Sequence, residues 1–363
     1  MSFDVAIAGG GPGGLAAAIE LASRGCSVVV LDRQRAPIDK ACGEGLMPAG
    51  LASLKTWDVP IPASETGRFT AIRYVQEDGR FVEAPLPAPG GLGIRRLALH
   101  AAMAARARAA GAELREGCTV KGHRQTHAGV ELDTDAGAVS ARLLVAADGL
   151  HSPLRKAAGL EDDAPGAIRR FGLRQHFALK PWGERVEVHY AEGLEAYVTP
   201  AGALRVGIAF LWEDGAVPGP IAFDALLARF PLLKEQLGAA PADSKPMGAG
   251  PLCQRVHATV HGRLVLLGDA AGYVDAITGE GLSLAFDQAK CLGGLVKAAL
   301  DDARELSAYE RESRRAFNAY ARLASSLVAL ARRPALRRAA INRLIANPSL
   351  FAFALRHLTK PRG

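Results

Sequence analysis

The first part of the chain has the hydrophobic pattern of a strand, a helix and a second strand. Residues 3–8 form a short apolar run, residues 15–23 are rich in Ala and Leu, and residues 27–31 form another apolar run. Glycines separate the three segments. Short apolar runs bounded by glycine are typical of buried strands, so this pattern predicts a parallel sheet with helices on both faces.

The pattern changes in the middle of the chain. Apolar and polar positions alternate within residues 171–177, 185–190, 196–199 and 204–210. This alternation predicts a mostly antiparallel sheet with one face turned to a core. Elsewhere we expect helices over 97–110 and 282–300, and buried strands over 143–147 and 263–267. Residues 306–358 have a helical pattern, interrupted at Pro334 and Pro348.

Composition narrows the class of protein. The 363 residues are 49% hydrophobic and 22% charged, which is ordinary for a globular protein of about two domains. The five cysteines are scattered and form no CxxC pair, so we expect neither a disulfide framework nor a metal site. The N-terminus has no basic leader, and no apolar stretch approaches the ~18 residues of a membrane span. These features predict a cytoplasmic location.

Positive charge is concentrated in the last segment. Residues 313–363 contain ten arginines and one lysine but no acidic residue. Since the whole chain carries +7, residues 1–312 carry −4. This distribution argues against a nucleic-acid-binding protein. The basic tail either packs as helices with solvated arginines or contacts an anionic membrane surface or an acidic carrier protein.

A glycine-rich turn follows the first predicted strand. Gly9, Gly11 and Gly14 match GxGxxG, and Asp32 ends the second strand at the distance expected for a ribose-binding carboxylate. In such a turn the backbone approaches a pyrophosphate at the N-terminus of the following helix. The motif predicts dinucleotide binding without distinguishing NAD from FAD. It occurs once, so NAD(P)H would visit transiently or a separate reductase would supply electrons.

Two later segments place an aspartate directly after a buried strand. Asp148 and Gly149 follow the strand over 143–147, and Gly268 and Asp269 follow the strand over 263–267. Ligands of open α/β sheets bind at the carboxyl ends of the strands, so both aspartates are candidates for the same site.

Together, the three segments resemble the fingerprints of FAD-dependent aromatic hydroxylases, the group A flavin monooxygenases, and of the related geranylgeranyl reductases. The resemblance covers about residues 1–300 and implies FAD as cofactor. It places the following residues at FAD: Gly9, Gly11, Pro12, Gly13 and Gly14 at the pyrophosphate; Asp32, with Arg33 beside it, at the adenosine ribose; Val120 at the adenine; Arg96 near the ribityl and phosphate groups; Asp148, Gly149, Gly268 and Asp269 at the flavin half, with Asp269 on the ribitol hydroxyls; and Cys42, Gly279 and Gly281 beside the flavin ring. The family often has proline where this chain has Ala276.

The predicted fold is therefore α/β. A dinucleotide-binding, Rossmann-like domain of the FAD/NAD(P)-binding type comprises residues 1–65, 94–165 and 256–305. A mostly antiparallel substrate domain, residues 66–93 and 166–255, is inserted into it. Residues 306–363 form a helical basic C-terminal segment.

The reaction is less constrained than the cofactor. The segment 40–45, Lys-Ala-Cys-Gly-Glu-Gly, resembles the Cys-Gly-Gly-Gly segment of the reductases, although Cys42 also suits a packing role. The reductases' Tyr-x-Trp-x-Phe-Pro strand is reduced here to Tyr197 and its neighbours, and the halogenases' Trp-x-Trp-x-x-Pro signature is absent. The resemblance therefore favours a monooxygenase of secondary metabolism that hydroxylates a small or lipophilic phenolic aromatic with NAD(P)H and O₂.

Alternatives remain open at this stage. An FAD-dependent reductase of isoprenoid double bonds is the first, a flavin halogenase the second, and a non-catalytic flavin- or lipid-binding protein the third. A phenolic substrate reacts faster when deprotonated, so a hydroxylase benefits from a nearby acceptor. Glu195 and Tyr197 are the predicted pocket residues, and His176 and His189 are further candidates.

Overall fold

The computed structural model describes residues 2–126, 128–162 and 169–358. Its strands are β1 (Ser2–Ala8), β2 (Val28–Asp32), β3 (Gly45–Leu46), β4 (Thr66–Phe69), β5 (Ala71–Val75), β6 (Phe81–Pro85), β7 (Gly91–Ile94), β8 (Glu113–Glu116), β9 (Val120–Gln125), β10 (Val130–Thr134), β11 (Val139–Ala146), β12 (Arg170–Phe177), β13 (Arg185–Ala191), β14 (Leu194–Gly202), β15 (Arg205–Glu213), β16 (Met247–Ala249), β17 (Val260–His261) and β18 (Leu264–Leu266). Its helices are α1 (Pro12–Ser23), α2 (Pro48–Thr56), α3 (Arg96–Ala109), α4 (Pro153–Ala157), α5 (Phe223–Leu227), α6 (Pro231–Leu237), α7 (Gly281–Asp301), α8 (Leu306–Ala331), α9 (Pro334–Ala346) and α10 (Pro348–Leu358).

The first sheet has the strand order β17-β18-β11-β1-β2-β8, and β10 and β9 extend from the beginning of β11. Strands β18, β11, β1, β2 and β8 run parallel. Ala8 lies opposite Leu31 on one side and Ala146 on the other. The parallel sheet predicted from the apolar runs is therefore confirmed, whereas the short strands β8 to β10 were not anticipated.

Helices α1, α3 and α7 cover one face of this sheet. Helix α1 presents Leu15, Ile19 and Leu21 to a core that also contains Phe286 of α7. All four side chains are at most 1% exposed. Because α1 is built largely from Ala and Gly, it approaches the sheet closely enough to bring its N-terminus to the strand ends.

The second sheet has seven strands in the order β16-β12-β15-β14-β13-β5-β6. All neighbouring pairs are antiparallel except β13 and β5, which run parallel. A three-stranded sheet, β3-β7-β4, packs on β14 of this second sheet. Gly93 of β7 packs against β14 so closely that a Cβ atom there would lie 1.7 Å from the Pro200 carbonyl oxygen.

The C-terminal segment is helical, as predicted, and α9 and α10 begin at Pro334 and Pro348. Helix α8 packs on α7, and α10 packs on β6 through Phe351 and Leu355. Several basic side chains are paired with the rest of the protein: buried Arg337 and its neighbour Arg338 with Glu77, and Arg332 with Glu213. Across the described ranges, none of these helices combines the length and hydropathy that a bilayer-spanning segment requires.

Candidate functional site

The carboxyl ends of β1, β2, β11 and β18 lie at one edge of the first sheet, so the three sequence fingerprints meet there. The turn after β1 touches the segment after β11. Gly9 has φ +104°, and a Cβ atom on it would lie 2.3 Å from the Ala147 carbonyl oxygen. Glycine is therefore required at position 9 both for its backbone conformation and for this close approach.

The glycine-rich turn is shaped to receive a phosphate group. Helix α1 begins at Pro12 with Gly11 as its N-cap, and no side chain caps its free amides. A Cβ atom at Gly11 would meet no protein atom within 4 Å, whereas one at Gly14 would lie 1.9 Å from the Gly9 carbonyl oxygen. A Cβ atom at Gly13 would lie 3.1 Å from Cδ2 of Leu267, so Gly13 packs closely against that side chain. The open side at Gly11 and the free amides fit the pyrophosphate of FAD.

A small pocket lies beside Asp32 at the end of β2. The Asp32 carboxylate accepts hydrogen bonds from the Gly10 amide at 2.6 Å and the Gln34 amide at 2.7 Å. The pocket is also lined by His100, whose Nε2 lies 2.9 Å from the Gly10 carbonyl oxygen. Of the other residues predicted here, Arg33 is exposed after β2, and Val120 is half-buried at the start of β9.

Asp148 and Gly149 form the turn after β11. One oxygen of Asp148 accepts a hydrogen bond from the Leu154 amide at 3.3 Å, and Oδ1 is buried with no hydrogen-bond partner in the protein. Burial raises the pKa of Asp148. Gly149 adopts φ +87°. An unpartnered buried acceptor beside the glycine-rich turn is the kind of atom that a polar ligand satisfies.

Asp269 forms an ion pair that the sequence did not suggest. Its Oδ2 lies 2.8 Å from Nζ of Lys40. Burial raises the pKa of Asp269, but the Lys40 ammonium and the nearby Arg96 outweigh burial and hold the pKa below its ordinary value. Gly268 adopts φ +66°, and its amide donates to Oε1 of Gln288 at 2.7 Å. Asp269 therefore presents an ionised carboxylate to the cavity, as binding of ribitol hydroxyls requires.

The loop before α7 carries Gly279 and Gly281 without the family's proline. Asp275 organises it instead. Its Oδ1 accepts from the Ile277 amide at 2.9 Å, and its backbone carbonyl accepts from the Tyr320 hydroxyl at 2.6 Å. Burial raises the pKa of Asp275 to about 6, against the opposing effect of Arg170, whose Nε lies 3.4 Å away. Gly279 then adopts φ +66°, and α7 begins at Gly281.

A cavity of about 270 Å³ extends from these residues into the second sheet. Its cofactor end is lined by residues from the fingerprints and the segment 40–45, including Lys40, Cys42, Glu44, Arg96, Asp269, Gly279 and Gly281. Its apolar end is lined by side chains from β5, β13 and the C-terminal helices, including Ile72, Val186, Val188, Leu323, Leu327 and Leu355. Burial raises the pKa of the Cys42 thiol, so this side chain is a neutral wall of the cavity.

Strand β12 carries a row of charged and polar side chains, of which Arg174 lines the cavity. Alternate residues of a strand share a face, so Arg170, Arg174 and His176 point in the same direction. All three are buried. Arg174 pairs with Asp39 at 2.6 Å, and His176 lies 2.5 Å from Oε2 of Glu44. This row connects the second sheet to the segment 39–44 of the cofactor end.

The predicted pocket residues occupy different depths. Tyr197 lines the cavity, and its hydroxyl donates to Oε2 of Glu195 at 2.8 Å. Glu195 is 5% exposed and pairs with Arg170 at 3.0 Å. Burial and the charge of Glu195 raise the pKa of Tyr197 well above its ordinary value, so its hydroxyl keeps its proton. His189 instead pairs with Glu187 at 3.0 Å, on the face of β13 opposite to Val186 and Val188.

Five residues of this site were not among the predicted ones: Lys40, Glu44, Arg170, Arg174 and Asp275. In the segment 40–45 the sequence motif points only to the cysteine. A signal for the arginines was present, because charged residues at alternate positions of an otherwise apolar strand indicate a buried polar face. Their partners could not be deduced, because Arg174 and Asp39 are 135 residues apart.

With this geometry established, similarity to known proteins is informative. A family model described as an FAD binding domain matches residues 2–206. The chain belongs to this FAD-binding family. It is 29% identical over 331 residues to digeranylgeranylglycerophospholipid reductase 2 of Methanopyrus kandleri, covering 83% of this chain and 78% of that protein. It is 27% identical over 325 residues to menaquinone reductase of Mycobacterium tuberculosis, covering 84% and 78%.

Solved structures of flavin enzymes share the fold. The flavin-dependent brominase Bmp2 superimposes with a TM-score of 0.85 at 17% identity, covering 99% of this chain and 94% of that chain. The protein is thus an FAD-dependent oxidoreductase, and its predicted α/β fold and cofactor are confirmed. When bound, FAD supplies the redox chemistry, and the protein binds and orients the ring and excludes water.

Proposed function

We propose that this oxidoreductase hydroxylates a lipophilic phenol, using NAD(P)H and O₂. The observation that carries the proposal is the position of Glu44. Glu44 is 7% exposed and is one of the residues that line the cofactor end of a cavity whose opposite end is apolar. A buried carboxyl group is costly unless it is paired or used, and His176 pairs with it from behind.

The apolar end supports a substrate with a hydrocarbon portion. Leu323 and Leu327 of α8, Leu355 of α10, and Ile72, Val186 and Val188 of the second sheet all line the cavity. Each apolar square ångström buried there contributes about 25 cal/mol, so a substituent a few carbons long adds appreciable affinity. Such walls also keep water from the reacting atoms, which a hydroxylase requires to avoid wasting reductant.

The position of Glu44 is evidence for a phenolic head group in the substrate. A phenol is more reactive toward an electrophilic oxygen when its hydroxyl is deprotonated, and a carboxylate at hydrogen-bonding distance promotes that step. Of the candidates suggested by the sequence, Glu195 lies outside the set of cavity-lining residues and pairs with Arg170 and Tyr197, and His189 lies on the strand face opposite to the cavity-lining Val186 and Val188. His176 acts on the cavity through Glu44.

Reduction of isoprenoid double bonds is the second candidate. The relatives named above are reductases, and this chain shares with that class the Cys-Gly segment at Cys42, which lines the cavity. An isoprenoid chain would also suit the apolar end. Glu44 would then donate a proton to a carbon of the double bond as it is reduced, instead of accepting one from a phenol.

Oxygen consumption distinguishes the two. Purified FAD-loaded protein would be assayed with NADPH against para-cresol, para-dodecylphenol and geranylgeraniol. We expect O₂ uptake stimulated by the phenols, more strongly by the dodecyl compound, and a product heavier by one oxygen atom. Absence of phenol-stimulated uptake, together with anaerobic saturation of geranylgeraniol, would overturn hydroxylation in favour of reduction.

A further inference from the structure

Glu44 adopts a backbone conformation that its residue type disfavours. Its φ is +58°, in the left-handed region where glycine is usual. The reductase segment that 42–45 resembles has glycine at this position. A non-glycine residue persists in this region only where its surroundings hold it there, and such positions are concentrated at functional sites. This backbone conformation therefore indicates that the carboxyl group of Glu44 has a function.

Two groups hold that carboxyl group in place. Its Oε1 accepts a hydrogen bond from the Arg96 amide at 3.0 Å, at the first turn of α3. Its Oε2 lies 2.5 Å from Nε2 of His176. Glu44 thus contacts the cavity on one side and a fully buried imidazole on the other.

The second ring nitrogen of His176 continues the connection outward. Nδ1 lies 3.0 Å from Oγ of Ser244 and 3.2 Å from Nη1 of Arg174. Ser244 is partly exposed in the segment that precedes β16. Glu44, His176 and Ser244 therefore form a hydrogen-bonded chain from the cavity to the protein surface.

We propose that Glu44, His176 and Ser244 relay protons between the substrate cavity and solvent. The inference rests on the proposed function for the identity of the proton donor, a phenolic hydroxyl. That hydroxyl loses its proton to Glu44, Glu44 passes a proton to Nε2 of His176, and Nδ1 passes one to the Ser244 hydroxyl and on to water. Only protons move, and the reverse sequence returns a proton to the cavity.

Other charged groups surround the relay without being able to continue it. Arg174 and Arg96 carry hydrogen-bond donors only. Asp39 is engaged by Arg174. Asp243, next to Ser244, is engaged by Arg205 and by Arg95 at 3.5 Å. Cys42, a further titratable neighbour of Glu44, is kept neutral by burial, which raises the pKa of its thiol.

Asp275 is a second carboxyl group of this cavity, and its contacts differ from those of Glu44. It also lines the cavity and is 2% exposed. The hydrogen bonds and ion pair described for its carboxylate involve the Ile277 amide and the Arg170 guanidinium, which are both donors. A proton accepted by Asp275 has no onward acceptor in those contacts, whereas imidazole both accepts and donates.

The outer half of the relay, from His176 to Ser244, can be tested without substrate by measuring proton exchange at His176. In ¹⁵N-histidine-labelled, FAD-loaded protein, the ring N–H signal of His176 would be assigned by its loss in His176→Asn. Its exchange with water would then be compared between wild type and Ser244→Ala. We expect exchange to be at least tenfold slower in Ser244→Ala. The Glu187–His189 pair is an internal control, and exchange of its ring N–H should be unchanged.

Equal exchange rates in the two proteins would overturn the relay, and so would a His176 signal broadened beyond detection in both. A signal that is broadened in wild type and sharp in Ser244→Ala would support it. A merely structural contact between Ser244 and His176 would not slow exchange, because removing it would loosen the ring and expose it to water.

The inner half of the relay, from the cavity through Glu44 to His176, can be tested with a chromogenic phenol. Para-nitrophenol bound to the protein would be ionised by a rapid pH jump, and the appearance of its phenolate absorbance recorded. We expect Glu44→Gly, Glu44→Gln and His176→Asn to slow ionisation at least tenfold, and His189→Asn to leave the rate unchanged. Glu44→Gly is informative because glycine relieves the left-handed backbone, so a slower rate cannot be attributed to strain.

The two measurements separate the relay from the proposed function. If para-nitrophenol does not bind, the phenol assignment fails, and the exchange experiment alone decides the relay. If the phenol binds and its ionisation rate is the same in the Glu44 and His176 variants as in wild type, the relay is wrong while the phenol assignment stands.

Discussion

At its cofactor end the cavity is lined by charged groups held in pairs, whereas at its apolar end it is lined by aliphatic side chains contributed by four separate elements, β5, β13, α8 and α10. Lys40 pairs with Asp269, and His176 with Glu44. The apolar end instead needs only shape and volume, so many sequences would serve equally well. The cofactor end can therefore be recognised from motifs, and the apolar end cannot.

The strongest test of this contrast concerns Asp275, a buried carboxyl group that lines the same cavity. Its folded-state pKa of about 6 exceeds the ordinary value of 3.8. Its contribution to stability is therefore fully present below pH 3.8 and is lost as the pH rises through about 6. Relative to wild type, Asp275→Asn should gain about 3 kcal/mol of unfolding free energy over that interval, since each pKa unit corresponds to about 1.4 kcal/mol.

Denaturant unfolding at several pH values measures this change. The control is Asp302→Asn, because Asp302 is partly exposed just after α7 and hydrogen bonds donated by Arg304 lower the pKa of its carboxyl group. A parallel pH dependence in wild type and Asp275→Asn would show that the Asp275 carboxyl group is not destabilised by burial.

Asp269→Ala tests the cofactor end. A charge-assisted hydrogen bond contributes about 1.5–3 kcal/mol, so FAD should bind roughly ten- to a hundredfold more weakly. Flavin content after purification and titration of the apoprotein with FAD measure the loss. Full flavin occupancy with unchanged affinity would contradict the assignment of Asp269 to the cofactor.

Tyr197→Phe tests whether Tyr197 is a structural or a reacting group. Removing its hydroxyl leaves Glu195 without one hydrogen bond, so we expect a loss of about 2 kcal/mol in unfolding free energy and little change in turnover. Chemical denaturation and steady-state oxygen uptake would be compared. Lost turnover at unchanged stability would instead give Tyr197 the catalytic role that the sequence suggested.

Leu327→Ala tests the apolar end. Removing part of one wall should cost about 1 kcal/mol of substrate binding, seen as a several-fold lower kcat/KM for para-dodecylphenol but not for para-cresol. Leu350→Ala is the matched control, because Leu350 is 49% exposed on α10. Equal effects on the two phenols would mean that the alkyl chain lies elsewhere.

The membrane or carrier-protein contact of the basic tail stays a prediction.

Local sequence was sufficient for the elements that depend on local patterns. The strand–helix–strand beginning, the glycine-rich turn and the two aspartates after buried strands could all be read directly, because turn geometry and the approach of backbone to phosphate demand particular residues at fixed spacing. The alternating strands of the second sheet were also recognisable. Strands β8 and β9 were missed because they are half-buried and carry little periodicity, and β10 was missed although Val130 and Leu132 alternate there with polar residues.

Cavity chemistry depended on contacts between distant residues. His176 was a candidate from the sequence, but its partner Glu44 lies 132 residues away. Asp275 takes over the loop that a proline shapes in relatives, which no local pattern reveals. The sequence by itself determined the cofactor and the fold, because backbone geometry constrains both locally. Only the tertiary structure decided which carboxyl groups face the cavity and which can pass on a proton, because burial and pairing are set by the packing of one sheet on another.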